Sequence, residues 1–216
     1  MELVKVYFAK TVGLEDEAVS SRLYNSLPEQ RQEKIDRAKT KSGKIASLSA
    51  GIILKKALKE EGISDINIKL NSSGKPYLDG VSDLFFNISH SEEMVMCAVS
   101  DKEIGCDIEK LRDFDIEIAK RFFCDEEYQN IISCKTKNEQ DDMFLRLWTL
   151  KESILKATGL GLSLPLNSFK VSFGEQKINL FDNTYYLKEL ETESGYKSSL
   201  CALSDKDVEI KNICLL

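Results

Sequence analysis

Histidine and tryptophan occur once each in this 216-residue chain, and proline only three times. No Pro- or Gly-rich stretch is present to serve as a linker between separate domains. No apolar run approaches the roughly 20 residues of a membrane span, and the opening "MELVKVYFAK" has neither the basic start nor the apolar core of a secretion signal. A cytoplasmic protein without a membrane partner is expected. The six cysteines, at 97, 106, 124, 134, 201 and 214, form no C-x-x-C pair and lie mostly in apolar settings such as "MCAV" and "LCAL". They are expected to be reduced core residues, not a zinc site or a disulfide framework. No G-x-S-x-G elbow accompanies the lone His90, so a Ser-His-Asp hydrolase is not implied. A formal net charge of -6 disfavours general nucleic-acid binding. A local basic patch is compatible with that charge, because screening confines its reach to about 10 Å.

What is present is an ordinary globular composition, 42% hydrophobic and 31% charged, long enough to bury a real core. A strand "LVKVYFA" precedes a polar, strongly charged segment and a helix "KIASLSAGIILKKALKEEG" that ends on Gly62. Strands "INIKL", "PYL", "LFFNIS" and "MVMCAVS" follow, then "IGCDIEK". The chain turns helical at "DIEIAKRFFCDEEYQNII" and again at "DDMFLRLWTLKESILKATG", ending on Gly159. Strands "FKVSF", "KINLF", "TYYLKEL" and "SSLCALS" complete it.

A repeat lies within this order. "CAVSDKEI", starting at 97, returns as "CALSDKDV" at 201, with five of eight positions identical and a displacement of 104 residues. Each copy follows a long Gly-terminated helix. An α+β protein of two similar α/β halves in a pseudo-twofold arrangement is expected, each half a small sheet packed on a long helix, with boundaries 1–104 and 105–216. The seam between such halves is a natural ligand cleft.

In "GCDIEKL", residues 105 to 111, Asp107 and Glu109 stand two apart in a strand and therefore share a face. Like charges at that spacing need water or a cation between them. On the second long helix, Met143, Leu147, Leu150, Ile154 and Ala157 make the buried stripe, while Trp148, Glu152 and Lys156 recur one turn apart on another face. Glycines in the following "GLGLSLPL" allow close approach of a ligand or another backbone. Ser89, His90 and Ser91 end a strand with groups suited to phosphate oxygens. From Arg31 to Lys44 six basic residues face only two acids, the best landing place for a phosphate in an acidic protein. Together these features propose Mg²⁺ held by Asp107, Glu109 and a third acid, with Lys and His around phosphates.

"FNISHS", "GCDIEK", "RFFCDEEY", "WTLKESILKATGLGLSLPL" and the "SGKPYL" turn resemble, in order and spacing from about Leu27 to Phe169, the 4'-phosphopantetheinyl transferases of the surfactin-synthetase-activating type. The resemblance implies a monomeric enzyme with coenzyme A between two α/β halves. It moves 4'-phosphopantetheine from coenzyme A to a serine of an apo acyl or peptidyl carrier protein and releases 3',5'-ADP. It further implies Asp107, Glu109 and Glu152 as metal ligands, with Lys156, Ser89 and His90 on phosphates. Adenine is expected near Gly74, Lys75 and Pro76, and Glu152 is expected as the base acting on the serine. Cys106 replaces an aliphatic residue usual in the family. The family arginine that opens the first long helix and meets the 3'-phosphate is missing from "SGKIAS", leaving Lys44, or Lys34 and Arg37, as candidates for that contact. Lys120 and Arg121, beside Phe122 and Phe123, are expected to meet the carrier through one exposed aromatic and the basic pair.

Overall fold

A computed structural model describes residues 2–216. The chain runs β1 (Val4–Lys10), α1 (Glu17–Asn25), α2 (Glu29–Asp36), α3 (Lys41–Glu60), β2 (Ile68–Leu70), β3 (Pro76–Leu78), β4 (Phe85–Ser91), β5 (Met94–Ser100) and β6 (Ile104–Lys110). It continues through α4 (Ile116–Phe122), α5 (Asp125–Ile132), α6 (Lys137–Thr158), β7 (Lys177–Leu180), β8 (Asn183–Leu190), β9 (Tyr196–Ala202) and β10 (Val208–Asn212). It divides into two compact units, one of residues 1–102 with 206–216 and one of residues 103–205. Compared with the expected 1–104 and 105–216, the C-terminal segment belongs to the first unit, because β10 pairs in parallel with β1.

Both units follow one plan. In the first, the sheet order is β10-β1-β5-β4; in the second it is β6-β9-β8-β7. A strand, a long helix and an antiparallel strand pair recur as β1, α3, β4–β5 and as β6, α6, β8–β9. The repeated octapeptide falls where one unit hands the chain to the other, first between β5 and β6 and then between β9 and β10. Asp101 of the first copy accepts a hydrogen bond from Lys206 of the second at 2.5 Å.

In the first unit, Tyr7, Val95, Cys97 and Val99 of the sheet pack against Leu48, Ile52, Ile53, Ala57 and Leu58 of α3. Thr40 starts α3 by accepting from the Gly43 N–H, three residues earlier than the apolar periodicity begins. The charged segment before it forms α1 and α2. Their apolar signal is weak, since α1 buries no residue completely and α2 only Ile35. Asp16 caps α1 by accepting from Ala18 and Val19.

In the second unit, α6 lies on the sheet through Leu147, Leu150, Ile154 and Ala157, with Leu187 and Cys201 in the same core. Met143 of the expected stripe is only half-buried. The stretch expected as one helix from 115 to 132 is two. Cys124 is extended and its N–H donates to Glu127 Oε2 at 2.9 Å, which starts α5 afresh and turns Phe123 into the core. "FKVSF" is not a strand. Its backbone is satisfied by a buried ion pair instead: Lys151 donates to the Leu166 and Phe169 carbonyls, each at 2.7 Å, and to Glu127 at 2.9 Å, while Glu127 Oε1 accepts from the Val171 N–H at 2.8 Å. All three lysine donors are used, so the charge is buried without being orphaned.

All six cysteines are free thiols. Cys97, Cys106 and Cys201 are core residues, Cys124 and Cys134 are half-buried, and Cys214 is exposed, so the expectation of core cysteines fails at the last three. Among the described residues no helix is long and apolar enough to cross a membrane.

Candidate active site

Gly105, Asp107 and Glu109 alternate onto one face of β6, and that face meets α6. A β-carbon at residue 105 would lie 2.1 Å from the Ser153 carbonyl oxygen and 2.3 Å from the Ala157 nitrogen. Only glycine lets the helix backbone approach the strand so closely. Further along the same face, buried Asp107 accepts a hydrogen bond from Lys156 at 2.6 Å. Lys156 also donates to the Cys106 carbonyl at 3.1 Å. Thr149 and Ser199, joined by a buried hydroxyl hydrogen bond of 2.8 Å, hold α6 to β9.

Charge links these groups. Burial pushes the Glu152 carboxyl up from its ordinary value, the charge of Asp107 adds to the push, Lys156 opposes it, and Glu109 adds a smaller share. Burial works against the Lys156 ammonium, yet Asp107, Cys106 and Glu152 outweigh it and the pKa of Lys156 is raised. Glu109 stands 4.0 Å from Arg112.

Asp107 and Glu109, whose charges both push the Glu152 carboxyl up, make with it a hard oxygen donor set of the kind that suits Mg²⁺. As placed, no three Asp, Glu, His or Cys side chains among the described residues stand at metal-binding spacing, and Lys156 supplies the positive charge against Asp107.

The other expected site residues lie in the first unit. Ser89 and His90 are neighbours on β4, at one end of the sheet order, and so face opposite sides of it; Ser89 is buried and His90 exposed. Gly74 holds φ +83° in a turn where the Asn71 side chain accepts from the Ser73 and Lys75 N–H groups, and Pro76 opens β3. Nothing would touch a β-carbon on Gly74, so the backbone angle alone calls for glycine there.

Among the candidates for the 3'-phosphate, Arg37 is exposed and pairs with Glu33 at 3.0 Å, and Lys44 lines a cleft of about 610 Å³ with Lys41, Asp36 and Tyr24. Lys34 stands apart from them. Its side chain is exposed at the surface, yet its pKa is lowered by partial desolvation and by the charge of Arg31. Burial likewise lowers the pKa of Arg31, which donates to the Ser47 carbonyl at 3.0 Å, while its Nε and the Ser47 hydroxyl are buried with no hydrogen-bond partner. An arginine whose charge disfavours a neighbouring ammonium, beside unsatisfied polar atoms, makes a setting in which an anion would be stabilised. Arg31 opens the basic run expected to receive a phosphate, and Arg31 and Lys34 stand at helical spacing i, i+3, whereas Ser47 carries no signal in the sequence.

On α4, Lys120 and Arg121 are exposed, Phe122 is half-buried with the Arg121 guanidinium 5.1 Å from its ring centre, and Phe123 is buried.

Residues 103–204 match the family model described as the 4'-phosphopantetheinyl transferase superfamily. The chain is 35% identical over 210 residues to 4'-phosphopantetheinyl transferase Sfp of Bacillus subtilis (strain 168), covering 94% of this chain and 92% of that protein. It is 34% identical over 208 residues to 4'-phosphopantetheinyl transferase gsp of Aneurinibacillus migulanus, covering 93% and 86%. Likeness to the crystal structure of Thermotoga maritima holo-[acyl-carrier-protein] synthase is slight, with a TM-score of 0.34 and 13% identity over 46% of this chain and 61% of that one. Sequence agreement along nearly the whole of two relatives, with the G-x-D-x-E strand seated against the W-x-x-K-E helix, places this chain in the 4'-phosphopantetheinyl transferase family, as an enzyme of the surfactin-synthetase-activating type.

Proposed function

We propose that this enzyme transfers 4'-phosphopantetheine from coenzyme A to a serine hydroxyl of an apo acyl or peptidyl carrier protein and releases 3',5'-ADP. The observation that carries this reading is the contact of Gly105 with the backbone of α6, which gathers Asp107, Glu152 and Lys156. Asp107, Glu109 and Glu152 would hold Mg²⁺, which when bound supplies positive charge to the pyrophosphate.

The chain's own groups do the rest. Lys156, kept protonated by Asp107, sets a fixed ammonium where negative charge grows on the leaving phosphate. Glu152, with its pKa raised, takes the serine proton directly or through a water, because a carboxylate of raised pKa is a better proton acceptor near neutrality. Arg31, Lys34 and Ser47 offer the 3'-phosphate its missing partners, in place of the family arginine. Ser89 and His90 act on the phosphates, and Gly74, Lys75 and Pro76 shape the adenine end; for these the support is the resemblance. Lys120, Arg121 and Phe122 give an acidic carrier a basic surface with an aromatic beside it. The protein would act as a monomer in the cytoplasm.

Asp107 tests the assignment. Asp107→Ala should abolish transfer at saturating Mg²⁺ while circular dichroism shows a folded protein; turnover at the unaltered rate would refute the metal site.

A further inference from the structure

A groove of about 290 Å³ lies beside Glu109, lined by Arg112, Phe114, Ile118, Phe144 and Trp148 among others. One wall is the irregular segment 111–115 that leaves β6. That segment is held to α6 at Phe114. The Lys137 ammonium donates to the Phe114 carbonyl at 2.9 Å and sits 4.1 Å from its ring centre. The Phe114 N–H donates to Asp141 Oδ1 at 3.3 Å, and Asp141 pairs with Lys137 at 2.5 Å. The Phe114 ring stacks on Phe144 at 3.9 Å, and Phe144 lies 5.7 Å from Trp148.

Helix stability does not account for Lys137. It is the first residue of α6, where the helix dipole disfavours a cation. Lysine four residues ahead of an acid is also the weaker order for a helical pair. Asp141 is buried although it is charged. What the pair does is hold one phenylalanine by its carbonyl, its N–H and its ring.

We propose that Lys137 and Asp141 are positioning residues for the transfer. They fix Phe114 as a wall of the groove beside Glu109, and the groove receives an uncharged side chain of the carrier protein next to its acceptor serine. This rests on the transfer reaction proposed above. Two observations choose the occupant. Glu109, Asp113 and Asp115 line the groove with one counter-charge, Arg112, so the phosphates of coenzyme A do not belong there. The groove also continues into the carrier surface, for Ile118 lies on α4 and Trp148 meets the edge of Phe122 at 6.4 Å.

Steady-state transfer, with carrier and coenzyme A varied separately, tests this. Lys137→Met should raise the carrier KM by about tenfold, the size of a typical coupling between touching groups, with kcat and the coenzyme A KM within about twofold. Lys137→Arg, which keeps the cation, should recover most of the loss. Phe114→Ala should raise the carrier KM as much, and Lys137→Met with Phe114→Ala should be no worse than Phe114→Ala alone. Carrier binding should change the emission of Trp148 in the unaltered protein, and at the same carrier concentration much less in Lys137→Met. An unmoved carrier KM, an equal rise in both KM values, or additive losses would overturn the inference alone. Failure of the unaltered protein to modify any carrier would overturn the reaction first and this role with it.

Discussion

The carbonyl oxygen of Ser153 comes so near Gly105 that a β-carbon there would lie 2.1 Å away. This contact sets how close Asp107 on β6 stands to Lys156 on α6. Gly105→Ala should therefore damage structure and activity together. Overpacking against a backbone costs about 1–3 kcal/mol or more, so a thermal midpoint several degrees lower is expected, with most transfer activity gone. An alanine variant with unchanged melting and turnover would show that the approach is looser than described.

Arg31 gives a second expectation. A hydrogen bond to a charged group contributes about 1.5–3 kcal/mol, which is about tenfold or more in affinity. Arg31→Ala should raise the KM for coenzyme A by that factor and leave dephospho-coenzyme A nearly unaffected, narrowing the preference between them. If both cofactors weaken equally, Arg31 does not meet the 3'-phosphate.

Glu152 ties function to stability. Its carboxyl is raised by burial and by Asp107, so the folded protein binds a proton more tightly than the unfolded chain. Stability from this group is present at low pH and is lost as pH climbs from the ordinary carboxylate range through the raised folded value. Without divalent cation, Glu152→Gln should gain in thermal midpoint relative to the unaltered protein as pH rises, while transfer is lost. A difference independent of pH would place the Glu152 pKa at its ordinary value.

The site was readable where chemistry and period coincided. Alternation puts Asp107 and Glu109 on one face, and the helical repeat puts Glu152 and Lys156 one turn apart; their meeting through Gly105 is a property of the fold, since spacing in sequence does not show which strand a helix covers. The octapeptide repeat foretold two units of one plan, though not that β10 returns to pair with β1, a long-range pairing without a local signal. The break at Cys124 and the irregular course of 169–173 have no local signal, because Glu127 and Lys151, two charged residues of ordinary surface type, satisfy that backbone from within the core. Arg31 belongs to a basic run, where nothing in the sequence separates a half-buried arginine from its exposed neighbours; Ser47 beside it is what marks it out.

Intact-mass spectrometry of an apo carrier protein, after incubation with this enzyme, coenzyme A and Mg²⁺, tests the proposed reaction most directly. The account predicts that the carrier gains the mass of one phosphopantetheine, and that a chelator abolishes the gain. No gain on several acyl and peptidyl carriers, with coenzyme A still bound, would contradict it and leave a protein that holds the cofactor without transferring it.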